Sequence, residues 1–171
     1  MDIRRLVHIA LLISLVALAT LVFRIPMPAT EGYINVGDAV IVVGGLLFGG
    51  LAAGLAGGLG SALADGLGGY AHWAPFTLLI KGGEGLLIGG LCRWFKLDLD
   101  RPFGVLAGGG IAALGLLWMV TGYFVVELFL YSFGPALASL PGNMVQAGAS
   151  LVLGLPLALL LRSTRFALKS S

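Results

Sequence analysis

Long apolar runs separated by short polar segments dominate the chain. The runs at 6–23 and 111–126 are almost continuously apolar, without the alternation of apolar and polar residues that marks a strand of a membrane barrel. Because a helix needs about 20 residues to cross a bilayer core about 30 Å thick, we expect transmembrane helices. The pattern predicts about six spans, at 6–24, 36–50, 51–67, 76–94, 103–128 and 141–161.

The second and third predicted spans are short for a bilayer crossing. We expect each to be tilted, short or broken at the turn Phe48-Gly49-Gly50, where two glycines follow each other. The first span follows Arg4 and Arg5 and so also resembles a secretory signal. Its apolar run continues through Phe23, which is too long for a typical signal, so we expect it to be retained as a helix.

The composition favours a membrane protein. Of the 171 residues, 58% are hydrophobic and 11% are charged, against about 45–50% apolar and about 25% charged in soluble domains. Six spans with short loops leave no room for a soluble domain, so we predict a single transmembrane domain over 1–171. The net charge of +2 is too small to indicate a nucleic-acid partner. The lone Cys92 provides neither a disulfide framework nor a cysteine metal cluster.

Basic residues concentrate on one side of the predicted membrane. If the N-terminus is cytoplasmic, only Arg24 and Lys81 face out, and the positive-inside rule is satisfied by the others. These others are Arg4, Arg5, Arg93, Lys96, Arg101, Arg162, Arg165 and Lys169. An odd number of spans would place the C-terminal basic cluster outside. The charges therefore predict an even number of spans with both termini in the cytoplasm.

Small residues indicate close helix packing. The 28 glycines concentrate in 44–69, 82–90 and 104–115. Glycines four apart let helix backbones approach closely in lipid, where no hydrophobic force drives association. The first helix has no glycine, but Ala10 and Ser14 lie four apart on one face. That face is suited either to packing within the chain or to docking of another membrane protein.

Most other polar and aromatic residues fall on the predicted outer side. Ionisable residues inside a membrane are costly and generally face a cavity or a partner. Aromatic rings among them could stack on a planar ligand. We therefore predict a substrate-binding site, open to the outside, built from Asn35, Asp38, Tyr70, His72, Trp73, Lys81, Glu84, Glu127, Asn143 and Gln146.

Several of these residues also have structural interpretations. Lys81 and Glu84 lie three apart on one helix and could pair with each other. Asp38 is placed to be the N-cap of the second helix. Glu127 could sit at the water interface. Tyr70 and Trp73 could be interfacial anchors.

Sequence motifs for chemistry are missing. The chain has no G-x-x-x-x-G-K-[ST] phosphate loop, no H-E-x-x-H and no G-x-S-x-G. His72 has no second ligand at metal spacing. We therefore expect no catalytic residues, no metal and no cofactor, and any ATP hydrolysis must come from another subunit.

Five sequence blocks, in order over about 30–160, carry a family resemblance. They are GYINVGD at 32–38, SALAD at 61–65, GYAHWAPFT at 69–77, KGGEG at 81–85 and PGNMVQ at 141–146. The chain resembles the substrate-binding S components of energy-coupling factor (ECF) transporters, in the riboflavin-transporter-like group.

The resemblance implies a six-helix protein of a bacterial or archaeal plasma membrane that captures a vitamin or related micronutrient in an outward-facing cavity. Such proteins dock on a transmembrane coupling subunit that carries two cytoplasmic ATPases. Small residues of the first helix serve docking in that family, and Ala10 and Ser14 match, with serine in place of alanine. Ligand contacts in the family come from the first outer loop and the outer parts of the last three helices. These map onto Asn35, Asp38, Lys81, Glu84, Glu127, Asn143 and Gln146.

Two other classes of function stay open at the level of the residues. A stand-alone transporter or channel would move solute without an ATPase partner. An intramembrane enzyme would use His72 with Asp65 or Glu84 as a base. The aromatic and carboxylate side chains suit a flavin, a pyridoxine-like ring, a pyrimidine or a modified purine. The residues do not rank these ligands, and only the label of the family group favours riboflavin.

Overall fold

The computed structural model describes residues 3–169, without the side chains of Arg4 and 165–169. The basic residues Arg4, Arg165 and Lys169 of the topology prediction therefore lie outside the described side chains. Within residues 3–169 there are six helices and one hairpin: α1 Ile3–Val22, β1 Arg24–Met27, β2 Gly32–Asn35, α2 Gly37–Phe48, α3 Gly50–Gly68, α4 Ala74–Trp94, α5 Pro102–Tyr131 and α6 Phe133–Lys169. The predicted all-α membrane fold is confirmed.

Four helices are long and apolar enough to cross a membrane. They are α1 over Arg5–Val22, α4, α5, and α6 over Phe133–Thr164. The helix α2 is apolar but has only 12 residues, and α3 has 19. The break between α2 and α3 falls at Gly49, whose φ of 87° is a conformation that glycine adopts without steric cost.

Two features differ from the predicted spans. The first outer loop contains an antiparallel hairpin, in which Arg24 pairs with Asn35 and Met27 pairs with Gly32. Its two strands have four residues each, which is too short for an alternation of apolar and polar residues to predict a strand. The last helix begins at Phe133 rather than near 141, so a predicted loop is helical. A proline inside a membrane helix is tolerated because neighbouring groups satisfy the freed backbone carbonyl, and Pro141 lies inside α6.

Glycines bring α3 against its neighbours, as the sequence predicted. A Cβ added at Gly58 would lie 2.8 Å from the backbone oxygen of Leu78 in α4. A Cβ at Gly60 would lie 2.7 Å from the backbone oxygen of Ile13 in α1. These distances are shorter than any ordinary carbon–oxygen contact, so α3 can hold both neighbours this closely only because these positions lack side chains.

The hairpin and two helix junctions meet at one end of the bundle, which we call the hairpin end. There the α3–α4 junction approaches the end of α5, where the Tyr131 hydroxyl lies 3.4 Å from His72 Nε2. At the opposite end Arg162 of α6 pairs with Asp98 and Asp100, at 3.3 and 2.6 Å. The exposed basic residues Arg93, Lys96 and Arg101 lie at that opposite end. Its cytoplasmic location remains a prediction from these charges.

Candidate ligand-binding site

A polar cavity lies at the hairpin end, between the hairpin and the helices. The space within it that water can occupy is about 20 Å³, and about 390 Å³ is unfilled when space open to solvent is included. Half of the predicted substrate-binding residues line it: Asn35, Trp73, Lys81, Glu127 and Asn143. The other five predicted residues do not line it, and the role of all ten in ligand binding stays a prediction.

Eight lining residues were not among the predicted ones: Thr20, Met27, Gly32, Tyr33, Ser61, Asp65, Thr77 and Tyr123. The spacing of some of these residues in the sequence could have indicated them. Ser61 and Asp65 are four apart on α3, and Thr77 is four residues before the predicted Lys81 on α4. Residues four apart share a helix face. The sequence alone does not show which of several such faces meet in space.

Three charged side chains form a buried cluster beside the cavity. The Lys81 ammonium pairs with Asp38 Oδ1, and Glu84 Oε2 lies 4.0 Å from the same ammonium. All three side chains are at most 1% exposed. The pairing of Lys81 with Glu84 that their spacing suggested is present, but the closer carboxylate, that of Asp38, comes from another helix. Both Glu84 oxygens lack a hydrogen-bond partner among the described residues.

Asp38 serves this cluster rather than the start of α2. It is the second residue of α2, and Val36 occupies the N-cap position without a side-chain cap. The second carboxylate oxygen of Asp38 accepts a hydrogen bond of 2.6 Å from Gln146 Nε2. The N-cap interpretation of Asp38 is thus wrong.

Gln146 connects the ion pair to the hairpin. Its Oε1 accepts a hydrogen bond of 2.7 Å from the backbone N–H of Asn35, the last residue of β2. The side-chain oxygen Oδ1 of Asn35 accepts a hydrogen bond of 2.8 Å from the backbone N–H of Gly37. The end of the hairpin is therefore fixed to α6 and, through Gln146 and Asp38, to Lys81.

Asp65 holds the middle of the hairpin. The Tyr33 hydroxyl donates a hydrogen bond to Asp65 Oδ1. Burial, and then the neighbouring Asp65 carboxylate, raise the pKa of Tyr33, so the hydroxyl keeps its proton and remains a donor. The other carboxylate oxygen, Asp65 Oδ2, is buried without a partner among the described residues.

Trp73 is a wall of the cavity. Its side chain is 4% exposed, and its ring is stacked on Tyr131 with centroids 6.0 Å apart and meets Tyr123 edge-on at 5.7 Å. This burial contradicts the interpretation of Trp73 as an interfacial anchor. His72 is exposed and Tyr70 is half-buried, with its ring 4.6 Å from that of Tyr33. Neither of these two lines the cavity.

Glu127 is buried rather than at the water interface. It is 1% exposed, and the Ser139 hydroxyl donates a hydrogen bond to its Oε2. Ser139 can reach it because the first turns of α6, predicted as a loop, are helical. Asn143, one turn further along α6, is 3% exposed.

The small-residue face of α1 points away from the bundle. Ala10 and Ser14 are exposed, and the Ser14 hydroxyl bonds only back to the Ala10 carbonyl at 2.9 Å. The opposite face, with Ile9, Leu12 and Val16, is buried. Packing of the small residues within the chain is thus contradicted, and their role in docking stays a prediction.

The fold and the site define a class: a multi-pass helical membrane protein with a buried polar cavity at one end. Residues 1–163 match the family of the ECF-type riboflavin transporter, S component, and the chain belongs to that family. It is a membrane component of vitamin transport, not an enzyme, and the predicted family and membrane location are confirmed.

Two relatives are similar to the chain over most of its length. The chain is 42% identical over 139 residues to an uncharacterized protein in the gap 3' region of Pyrococcus woesei, covering 81% of the chain and 88% of the relative. It is 32% identical over 164 residues to the thiamine precursor transporter HmpT of Lactococcus lactis subsp. cremoris strain MG1363, covering 95% of the chain and 90% of the relative.

Proposed function

We propose that the chain is the substrate-capture subunit of an ECF-type importer. It binds a vitamin or a related planar micronutrient in the cavity at the hairpin end, which faces outward. A transmembrane coupling subunit and two cytoplasmic ATPases then drive delivery. The observation that carries this proposal is the cavity itself, because buried polar and aromatic side chains at one end of a membrane bundle are costly unless they serve a solute.

The ten predicted residues take three roles in this proposal. The five that line the cavity contact the ligand, and Trp73 supplies the aromatic surface. Asp38, Glu84 and Gln146 surround Lys81 and hold it and the hairpin in place. Tyr70 and His72 lie near the rim and cover the ligand.

The hairpin is the lid of this site. It is held over the cavity by two polar contacts, Tyr33 with Asp65 and Asn35 with Gln146. A ligand enters when these contacts open, and it restores them or replaces them when it is bound. Riboflavin in the family name and a thiamine precursor in the name of one relative are both compatible with a planar nitrogen heterocycle.

The exposed face of α1 docks on the coupling subunit. Small side chains at Ala10 and Ser14 allow another helix to approach closely, and the Ser14 hydroxyl is already satisfied by its own helix. A bulky residue there is expected to block docking without touching the cavity.

Ligand capture is tested by mass spectrometry of the compound released from the purified protein, followed by its titration into stripped protein. Asn143→Ala is expected to weaken binding at least several-fold, because a buried hydrogen-bonding group is lost. Met144→Ala is the matched control, since Met144 is the next residue and is 52% exposed. Equal affinities of the two variants would contradict the assigned site.

Docking is tested by ATP-dependent uptake into proteoliposomes that also contain the coupling subunit and the ATPases. Ala10→Leu is expected to reduce uptake strongly while leaving ligand affinity unchanged. Leu15→Phe, on a neighbouring exposed position, is the control. Accumulation of the ligand by the chain alone, without the ATPases, would instead establish a stand-alone transporter.

A further inference from the structure

The lining of the cavity contains more carboxyl groups than cationic groups. Among the lining residues the carboxyl groups are Asp65 and Glu127, and the ammonium group is Lys81. Lys81 is already paired with Asp38, and Glu84 lies 4.0 Å from it. No lining cation is therefore left to balance an anionic ligand. Burying a phosphate group beside these carboxylates would be costly.

Three buried polar atoms in the lining lack partners among the described residues: the acceptor Asp65 Oδ2 and the donors Trp73 Nε1–H and Asn143 Nδ2–H. Two of them, Asp65 Oδ2 and Trp73 Nε1–H, lie under the hairpin, in side chains that are 2% and 4% exposed. A buried polar atom without a partner is destabilising. A ligand that offers both an N–H donor and a ring acceptor would satisfy both atoms.

The same strand lies against both groups. Tyr33 binds Asp65, and the preceding residue, Gly32, faces the indole: a Cβ added there would lie 3.7 Å from Trp73 Nε1. Glycine at this position thus leaves space beside the indole N–H. The donor and the acceptor therefore border one cavity under one segment of the lid.

The cavity has little open space in this structure. The part of it that water can occupy is about 20 Å³, room for about one water molecule, so a ligand has to displace the hairpin as it enters. A single substituted ring requires less displacement than the three-ring system and sugar-alcohol chain of riboflavin.

Building on the proposed function, we propose that the site selects a small amino-substituted nitrogen heterocycle that is neutral or cationic. Asp65 Oδ2 accepts a ligand N–H, and Trp73 Nε1–H donates to an acceptor of the ligand. Phosphorylated ligands are rejected because the lining offers no free cation. Asp65 is thus a specificity-determining residue.

The test is isothermal titration of the full-length chain, purified in detergent and stripped of ligand. The probes are 4-amino-5-hydroxymethyl-2-methylpyrimidine, its phosphate monoester and riboflavin. We expect the aminopyrimidine to bind at least tenfold more tightly than either of the others.

Three variants assign the effect to the two atoms. Asp65→Asn keeps an oxygen for Tyr33 and is expected to weaken aminopyrimidine binding at least tenfold, because hydrogen bonds to charged groups are the strong ones. Trp73→Phe keeps a six-membered aromatic ring but removes the N–H with the rest of the five-membered ring, and is expected to weaken binding about two- to tenfold. Glu31→Gln changes an exposed carboxylate at the tip of the hairpin and is expected to leave affinity within about twofold.

The outcomes separate this inference from the proposed function. Riboflavin or the phosphate ester binding as tightly as the aminopyrimidine would overturn the inference and leave the capture role intact. Wild-type affinity in both Asp65→Asn and Trp73→Phe, or no binding of the aminopyrimidine, would also overturn it. The capture role fails only if no compound is released from the purified protein and ATP-dependent uptake is absent.

Discussion

The buried ion pair between Lys81 and Asp38 makes the stability of the bundle sensitive to a single substitution. Lys81→Met keeps most of the side-chain volume and removes the ammonium, which leaves Asp38 and Glu84 as buried carboxyl groups without a cation. Removing one partner of a buried pair costs about 3–5 kcal/mol. For a chain of this size, 1 kcal/mol corresponds to about 2–4 °C in Tm. We therefore expect Lys81→Met to lower Tm by about 6–20 °C.

The assay is thermal unfolding of the detergent-purified protein, followed by intrinsic fluorescence. Lys96→Met is the control, because Lys96 is exposed and makes no ion pair among the described residues. It is expected to unfold close to the wild type. The double variant Asp38→Asn/Lys81→Met removes the uncompensated charge at position 38, and the amide oxygen introduced there would still accept the hydrogen bond from Gln146.

We expect this double variant to recover at least half of the loss, because the two sites interact directly. Two results would show the reasoning to be wrong. One is a Tm of Lys81→Met within about 2 °C of the Lys96→Met control. The other is a double variant whose loss equals the sum of the two single losses, since that would mean that the charges do not interact.

Three further predictions concern packing, the lid and the opposite end. Within α3, Gly58→Ala should lower Tm because its Cβ meets a backbone oxygen, whereas Gly66→Ala, which meets nothing within 4 Å, should raise Tm by about 2–4 °C. Gln146→Ala removes the acceptor of the backbone N–H at the end of β2, so hydrogen exchange of that amide should accelerate. The Arg162 guanidinium lowers the pKa of Asp100. The stabilisation from Asp100 should thus be present at neutral pH and lost as pH falls below about 4, through its lowered native pKa, as measured by the Tm difference from Asp100→Asn.

The sequence by itself determined that the protein lies in lipid, that its spans are helices and that its polar side chains gather near one end of the bundle. Continuous apolar runs require helices in lipid, because only a helix or a closed barrel satisfies every backbone group there. The spacing of glycines indicated close packing, and α3 confirms it at Gly58 and Gly60. The order of polar blocks indicated the family, which the comparison with known proteins confirms.

Helix ends were less well determined. Pro141 follows a segment that reads as a loop, yet it lies inside α6, and the added turns bring Ser139 to Glu127. A hairpin with strands of four residues also leaves no periodic signal. In both places the local sequence is compatible with more than one structure, and contacts with other helices select one.

Only the tertiary structure decided which polar groups meet. Spacing along α4 suggested that Lys81 would pair with Glu84, but Asp38, 43 residues away along the chain, is the closer partner. Nothing along the chain set Asp65 apart from the other polar residues, and only the fold brings it to Tyr33 of the hairpin. Helical periodicity fixes which residues share a face of one helix. Which faces then meet depends on how the helices pack against each other, and that is set by contacts between residues far apart in the sequence.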